Sequence, residues 1–198
     1  MRKLMIIILA LAMYELKAQG TIDQTERSFI TSYLQVTFEE TKKILESTDD
    51  NLWNYQPKDE GWTIGECMEH IVLAEKAVFM QVKAALKGEA DQEKSLKRRD
   101  GLVISYAVDR GKKVITPLPP ESVSMDQMGY LEAFRLSRQE IMSFLANESL
   151  ELRSHFGKSP FGEVDAYQLI LIIAAHGQRH TAQMKEIIGE YSGEPVKY

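Results

Sequence analysis

Residues Asp165–Ile187, DAYQLILIIAAHGQRHTAQMKEI, decide the fold. The stretch opens with Asp165-x-x-Gln168, an N-cap residue followed three positions later by a side chain able to reach back to the cap. No proline or turn cluster interrupts the run to Ile187, and the spacing predicts a helix that ends before Gly189. On a wheel of ~100° per residue, Leu169, Ile173, His176, His180 and Ile187 fall on one narrow stripe, with Met184 beside it. Such a face must be covered by other helices. Yet two of the chain's four histidines occupy the middle of it.

Three further segments have helical periodicity and start signals. The first runs from about Gln24 to Ser47, with Asp23 and Glu26 as cap and partner and Ile30, Leu34, Phe38 and Leu45 as its apolar set. The second starts at the capping box Thr63-Ile-Gly-Glu66, with Trp62 placed to staple against Cys67, and runs to Leu86 before stopping at Gly88. The third runs from Ser124-x-x-Gln127 to about Asn147. Between the second and third lies a long connection containing LVISYAVDRGKKVIT, which allows a short extended hairpin around Asp109-Arg-Gly111, and then PLPP. A connection of that length can travel the length of a bundle, so these two helices can run parallel. The expected fold is all-α: a four-helix bundle with a long crossover between its second and third helices.

Composition narrows the function. The chain has 198 residues, 44% hydrophobic and 27% charged, enough for one domain with an ordinary core. A formal net charge of −5 and the lack of a long Lys/Arg block exclude a nucleic-acid footprint, and the short run Lys94–Arg99 reads as a solvated loop. One cysteine, Cys67, forms no intramolecular disulfide.

The first twenty residues, MRKLMIIILALAMYELKAQG, have a basic start, an apolar run from Leu4 to Met13 and a small, polar end. That is the pattern of a secretory signal peptide, assigned to residues 1–18, with 19–198 as a single domain. The run is well short of the roughly 20 residues a membrane-spanning helix needs. The expectation is therefore a periplasmic or secreted protein with no stable membrane insertion after cleavage.

Some residues break the apolar pattern. A buried imidazole left unpaired costs roughly 1–3 kcal/mol. Two at i and i+4 lie over the same turn, and Gly177 between them leaves room for a bound group. A metal needs a third ligand, and His70 is the candidate. It stands off the core stripe of Ile64, Met68, Ile71, Phe79 and Val82, on a strip with Ala74 and Ala77. His155, in SHFGKSPFG, reads as a surface residue. Neither His-Glu-x-x-His nor Glu-x-x-His is present, so the zinc-protease and di-iron patterns are excluded. Spacing leaves two readings open, a three-histidine metal site or buried structural histidines. Glu75 and Arg138 also lie on apolar faces, and buried charges need partners, so a structural ion pair across the second and third helices is expected. The alternative is Arg138 as an anchor for an acidic substrate. Cys67 reads as a small buried hydrophobe, against a soft ligand or reactive thiol.

Taken together, LWNYQPKDEGWTIGECMEHIVLAE and the opening stretch resemble the DinB-like superfamily, within the larger DinB/YfiT-related group described as metalloenzymes. The likeness spans about residues 23–190. It rests on Trp62 and His70 as Trp-x₇-His, and on His176, Arg179, His180 and Gln183 as His-x₂-Arg-His-x₂-Gln. The resemblance implies a divalent ion (Zn, Ni, Fe or Mn) held by His70, His176 and His180, with Arg179 and Gln183 around the ligands or the pocket. Cys67, one turn before the strip of His70, is a further candidate there by its position. Glu75 and Arg138 resemble recurrent interior charges of the family. Members of that family transfer low-molecular-weight thiols, isomerise substrates with thiol help, or are described as hydrolases. The expected function is a metal-dependent hydrolase-type enzyme with an open coordination position, acting on a small molecule. The alternatives are a non-catalytic metal or small-ligand module, and a thiol transferase if the protein is cytoplasmic. A homodimer is compatible with all three.

Overall fold

The computed structural model describes residues 20–111, 116–160 and 162–193. The expected signal peptide, residues 1–18, lies outside them. The described chain forms α1 (Gln24–Glu46), α2 (Asp50–Trp53), α3 (Ile64–Ala85), α4 (Asp100–Val108), α5 (Gln127–Leu145), β1 (Phe156–Ser159), β2 (Gly162–Asp165) and α6 (Ala166–Ser192). None of the described helices is long and apolar enough to cross a membrane.

Local chemistry starts the long helices. Asp23 and Glu26, Thr63 and Glu66, and Asp165 and Gln168 form reciprocal capping boxes that satisfy otherwise orphaned backbone N–H groups. α5 starts later than expected. Its cap is Asp126, which accepts from Gly129 N, while Ser124 N donates to the Tyr130 hydroxyl. α6 continues past Gly189 to Ser192 and stops where Gly193 takes φ 72°, the left-handed conformation that suits glycine.

α1, α3, α5 and α6 make a four-helix bundle in which α1 and α3 each contact both α5 and α6. Cross-helix pairs fix the directions. Glu26 meets Tyr167, Tyr33 meets Gln178 and Thr41 meets Thr181, so α1 and α6 run parallel. Glu75 meets Arg138 and Lys83 meets Glu140, so α3 and α5 also run parallel. Leu34 meets Arg138 and Arg27 meets the Leu145 carbonyl, so the two parallel pairs run in opposite senses.

The crossover departs from expectation. Rather than a hairpin around Asp109–Gly111, residues 100–108 form α4, which lays Val103 and Ala107 against α6. The β-branched residues of LVISYAV suggest a strand, but a strand would put Ser105 on the same face as Val103 and Ala107. Ser105 is exposed while the other two are buried, the spacing of a helix face. Residues 112–115 lie outside the described part. The hairpin is instead β1–β2, with Phe156 opposite Asp165 and Ser159 opposite Gly162. Gly162 at φ 97° makes its tight return, and Val164 is fully buried.

Two apolar clusters fill the bundle, one around Ile30, Phe79, Ile141 and Ile170, the other around Met68, Ile71, Phe134 and Met184. Thr37, Thr41, Glu75, Arg138 and Thr181, all buried, are polar residues of the bundle interior alongside His70 and His180. A second buried network stands at the N-terminal ends of α1, α4 and α6. There Arg153 contacts Glu26 at 2.6 Å, Asp100 at 2.6 Å and Asp165 at 3.0 Å. Burial pushes Asp165 up to about 6 while Arg153 pulls against it. Arg153→Met leaves these carboxylates without their shared cation and should lower stability by roughly 3–5 kcal/mol near neutral pH. The folded-state pKa of Asp165 then rises further above its unfolded value, so the deficit grows as pH rises through that folded value and shrinks on acidification. Urea unfolding of both proteins at pH 5 and pH 7.5 checks this; an equal deficit at the two values would contradict it.

Candidate metal centre

The box at Thr63 sets the phase of α3, so His70 faces α6, where His176 and His180 stand one turn apart. Their ring nitrogens lie within 4.8 Å of one another. His176 Nε2 is 3.1 Å from His70 Nε2 and 3.1 Å from His180 Nε2. Trp62, just ahead of α3, packs on the cluster. Its ring is 4.8 Å from that of His70 and stacks on that of His180 at 5.7 Å.

The far nitrogens determine what the near ones can be. His70 Nδ1 lies 2.7 Å from the Leu118 carbonyl and His180 Nδ1 lies 2.9 Å from Gln183 Oε1. Both partners accept only, so both Nδ1 atoms hold the proton and both Nε2 atoms present lone pairs. His176 Nε2 can donate to one of them at most. At least one lone pair therefore faces another nitrogen unless a cation stands between. Two nitrogens each ~2.05 Å from one ion at a tetrahedral angle lie roughly 3.3 Å apart, close to the spacing here. The donor set fits a divalent ion.

Burial keeps these rings ready to ligate. It pushes His176 down to about 3, with the neighbouring His70 adding to the shift. It also depresses His180 well below its ordinary range, and lowers His70 against the pull of the Leu118 carbonyl. All three are neutral at pH 7.

The cluster opens into a cavity of about 620 Å³ between α3 and α6, closed by α4, the crossover and the hairpin. Arg179 and Gln183 line it. Cys67 does not. It is fully buried in the core, burial pushes its thiol pKa up, and it serves as neither pocket residue nor reactive thiol. His155 is half-buried beside β1 and stays out of the cluster. Glu75 and Arg138 meet at 2.6 Å, with Ser137 Oγ donating to Glu75 and Arg138 donating to the Leu34 carbonyl and to Thr37. A Cβ on Gly177 would stand 2.8 Å from Arg138 Nη2, so the room expected for a bound group is taken by the guanidinium.

Three partners of the site are missed or misread in the sequence. Leu118 acts through its backbone. Arg110 donates to Gln183 Oε1 at 3.3 Å while Glu186 holds it at 2.6 Å, yet its stretch of sequence reads as a turn. Trp62 reads as a staple, whereas its ring faces the histidines.

A class follows from this arrangement: a bundle of two parallel helix pairs with three converging imidazoles at one end of a cavity. The sequence profile of the DinB superfamily matches residues 33–184, and the chain belongs to that superfamily. It is 29% identical over 153 residues to the uncharacterized protein YuaE of Bacillus subtilis (strain 168), covering 75% of this chain and 90% of that one. Its fold is similar to that of YfiT from Bacillus subtilis, described as a probable metal-dependent hydrolase with an unusual four-helix bundle topology. That match has a TM-score of 0.62 at 14% identity and covers 88% of this chain and 92% of the other.

Proposed function

We propose that this protein is a divalent-metal-dependent hydrolase of small molecules, with His70, His176 and His180 holding the ion. The observation that supports this most is the convergence of three Nε2 atoms, two of them committed as lone pairs by partners on their far sides. Three neutral imidazoles leave an ion's +2 charge uncompensated and a position open, the combination that polarises a substrate carbonyl and activates water. The chain's own residues supply the rest. Trp62 covers the rings of His70 and His180, and the Leu118 carbonyl and Gln183 amide fix the two Nδ1 protons.

The expected export of the protein favours hydrolysis over thiol transfer, because the cytoplasmic thiol pool is absent outside the cell. Cys67, sealed in the core, supplies no thiol of its own. One observation supports a second reading, a non-catalytic ligand-binding module. Glu75, the carboxylate in the cavity wall nearest His70 along α3, is engaged by Ser137 and Arg138, which leaves it unfit as a general base. Turnover separates the two. Metal-loaded protein should hydrolyse members of an ester and amide panel, and His70→Ala, His176→Ala and His180→Ala should each abolish it. A filled site with no turnover across the panel would leave the binding reading.

A further inference from the structure

The cavity extends well beyond the histidines. Along α6 it reaches from His176 back to Leu169, seven residues or ~10 Å, and along α3 from His70 to Gln81, eleven residues or ~16 Å. Between these limits its walls are Ala74, Ala77 and Val78 from α3 and Leu169, Ile172 and Ile173 from α6. Ala74 and Ala77 come after His70 on its own strip of α3, and their small side chains keep the space in line with the imidazole open. Glu75 belongs to the same wall, but its carboxylate is turned to Ser137 and Arg138. The exposed carboxylates among the lining residues, Asp59 and Glu60, come from the loop just before Trp62. Polar groups thus gather where the three histidines converge, and the walls leading away are mostly hydrocarbon, with Gln81 and Ser159 at the far end.

We infer that the channel takes an unbranched aliphatic acyl chain of medium length, with the carbonyl that it carries placed at the three histidines. This rests on the metal-dependent reading above and adds the substrate class. A volume of about 620 Å³ is ordinary for a small-molecule site, and an elongated apolar shape selects a chain over a compact polar group. Ala77 lines the channel with a small side chain, so a larger residue there would narrow it.

A series of n-alkyl hydroxamates tests the two ideas separately, since the hydroxamate head reports the metal and the tail reports the channel. Calorimetric titration of zinc-loaded protein should detect acetohydroxamate. Affinity should then rise by up to about fourfold for each added methylene, the equivalent of ~0.8 kcal/mol, through octanohydroxamate. In Ala77→Phe the ratio of octano- to acetohydroxamate affinity should collapse. Failure of acetohydroxamate to bind overturns the metal reading itself. Binding with no gain along the series overturns the acyl channel and leaves the metal reading standing. A gain that survives in Ala77→Phe places the tail elsewhere and also overturns the channel. The wild-type series decides the matter even if the variant fails to fold.

Discussion

His176→Ala should lower affinity for a divalent ion by more than ~100-fold while the protein stays folded and helical. His176 stands at the centre of the cluster, 3.1 Å from both other Nε2 atoms, so removing it takes one of three donors. Outer partners of a metal ligand are typically worth about 10–100-fold, and a direct ligand exceeds that range. Gln183→Leu should fall within it, because His180 Nδ1 loses its acceptor and with it the constraint on its tautomer. Helicity should survive, since alanine is the strongest helix former and His176 faces a cavity. Acid adds a second readout. Burial depresses all three pKa values, so the folded state resists protonation, and the resulting stability is present above ~6.5, the unfolded imidazole value, and lost as pH falls through the folded values. Metal should therefore be retained at pH 6. Elemental analysis and competition with a chelator measure both effects. Parent protein that never holds metal, with His176→Ala losing its helicity, would make the histidines structural.

Much of this site is legible in the sequence, for a physical reason. A polar side chain on an apolar helix face contradicts its surroundings, and wheel positions alone expose His176, His180, Glu75 and Arg138. Capping boxes are readable at Asp23, Thr63 and Asp165 because cap and partner are three residues apart. Features that depend on distant partners are not. Arg153 lies in a polar loop where a charge contradicts nothing, and its contact Glu26 is 127 positions away. α4 escapes a local reading because its β-branched residues favour a strand, and only α6 supplies the surface that makes a helix profitable there. Leu118 offers His70 a carbonyl, a group every residue has, so no side chain could announce it.

Arg138→Met should destabilise the fold by roughly 3–5 kcal/mol, the range for removing one partner of a buried pair. Glu75 is 1% exposed and would keep a carboxylate in the core with Ser137 as its remaining partner. Burial already pushes its pKa up against the pull of Arg138. With that pull gone, the deficit should be larger at pH 8 than at pH 5, since a group whose folded pKa is raised loses stability as pH climbs through it. Glu75→Leu with Arg138→Met should recover much of the loss, because two hydrocarbon side chains replace two charges at similar volume. Recovery will be incomplete. Arg138 also donates to the Leu34 carbonyl and to Thr37, and those acceptors lose a partner in either background. The coupling energy from urea unfolding of the parent, both single variants and the double variant isolates the pair from these losses. Simple additivity would mean that each charge is held by its other contacts and that the 2.6 Å approach contributes nothing. Coupling of a few kcal/mol would instead mean that the pair itself ties α3 to α5 in register, at the level of Gly177 between His176 and His180 of α6.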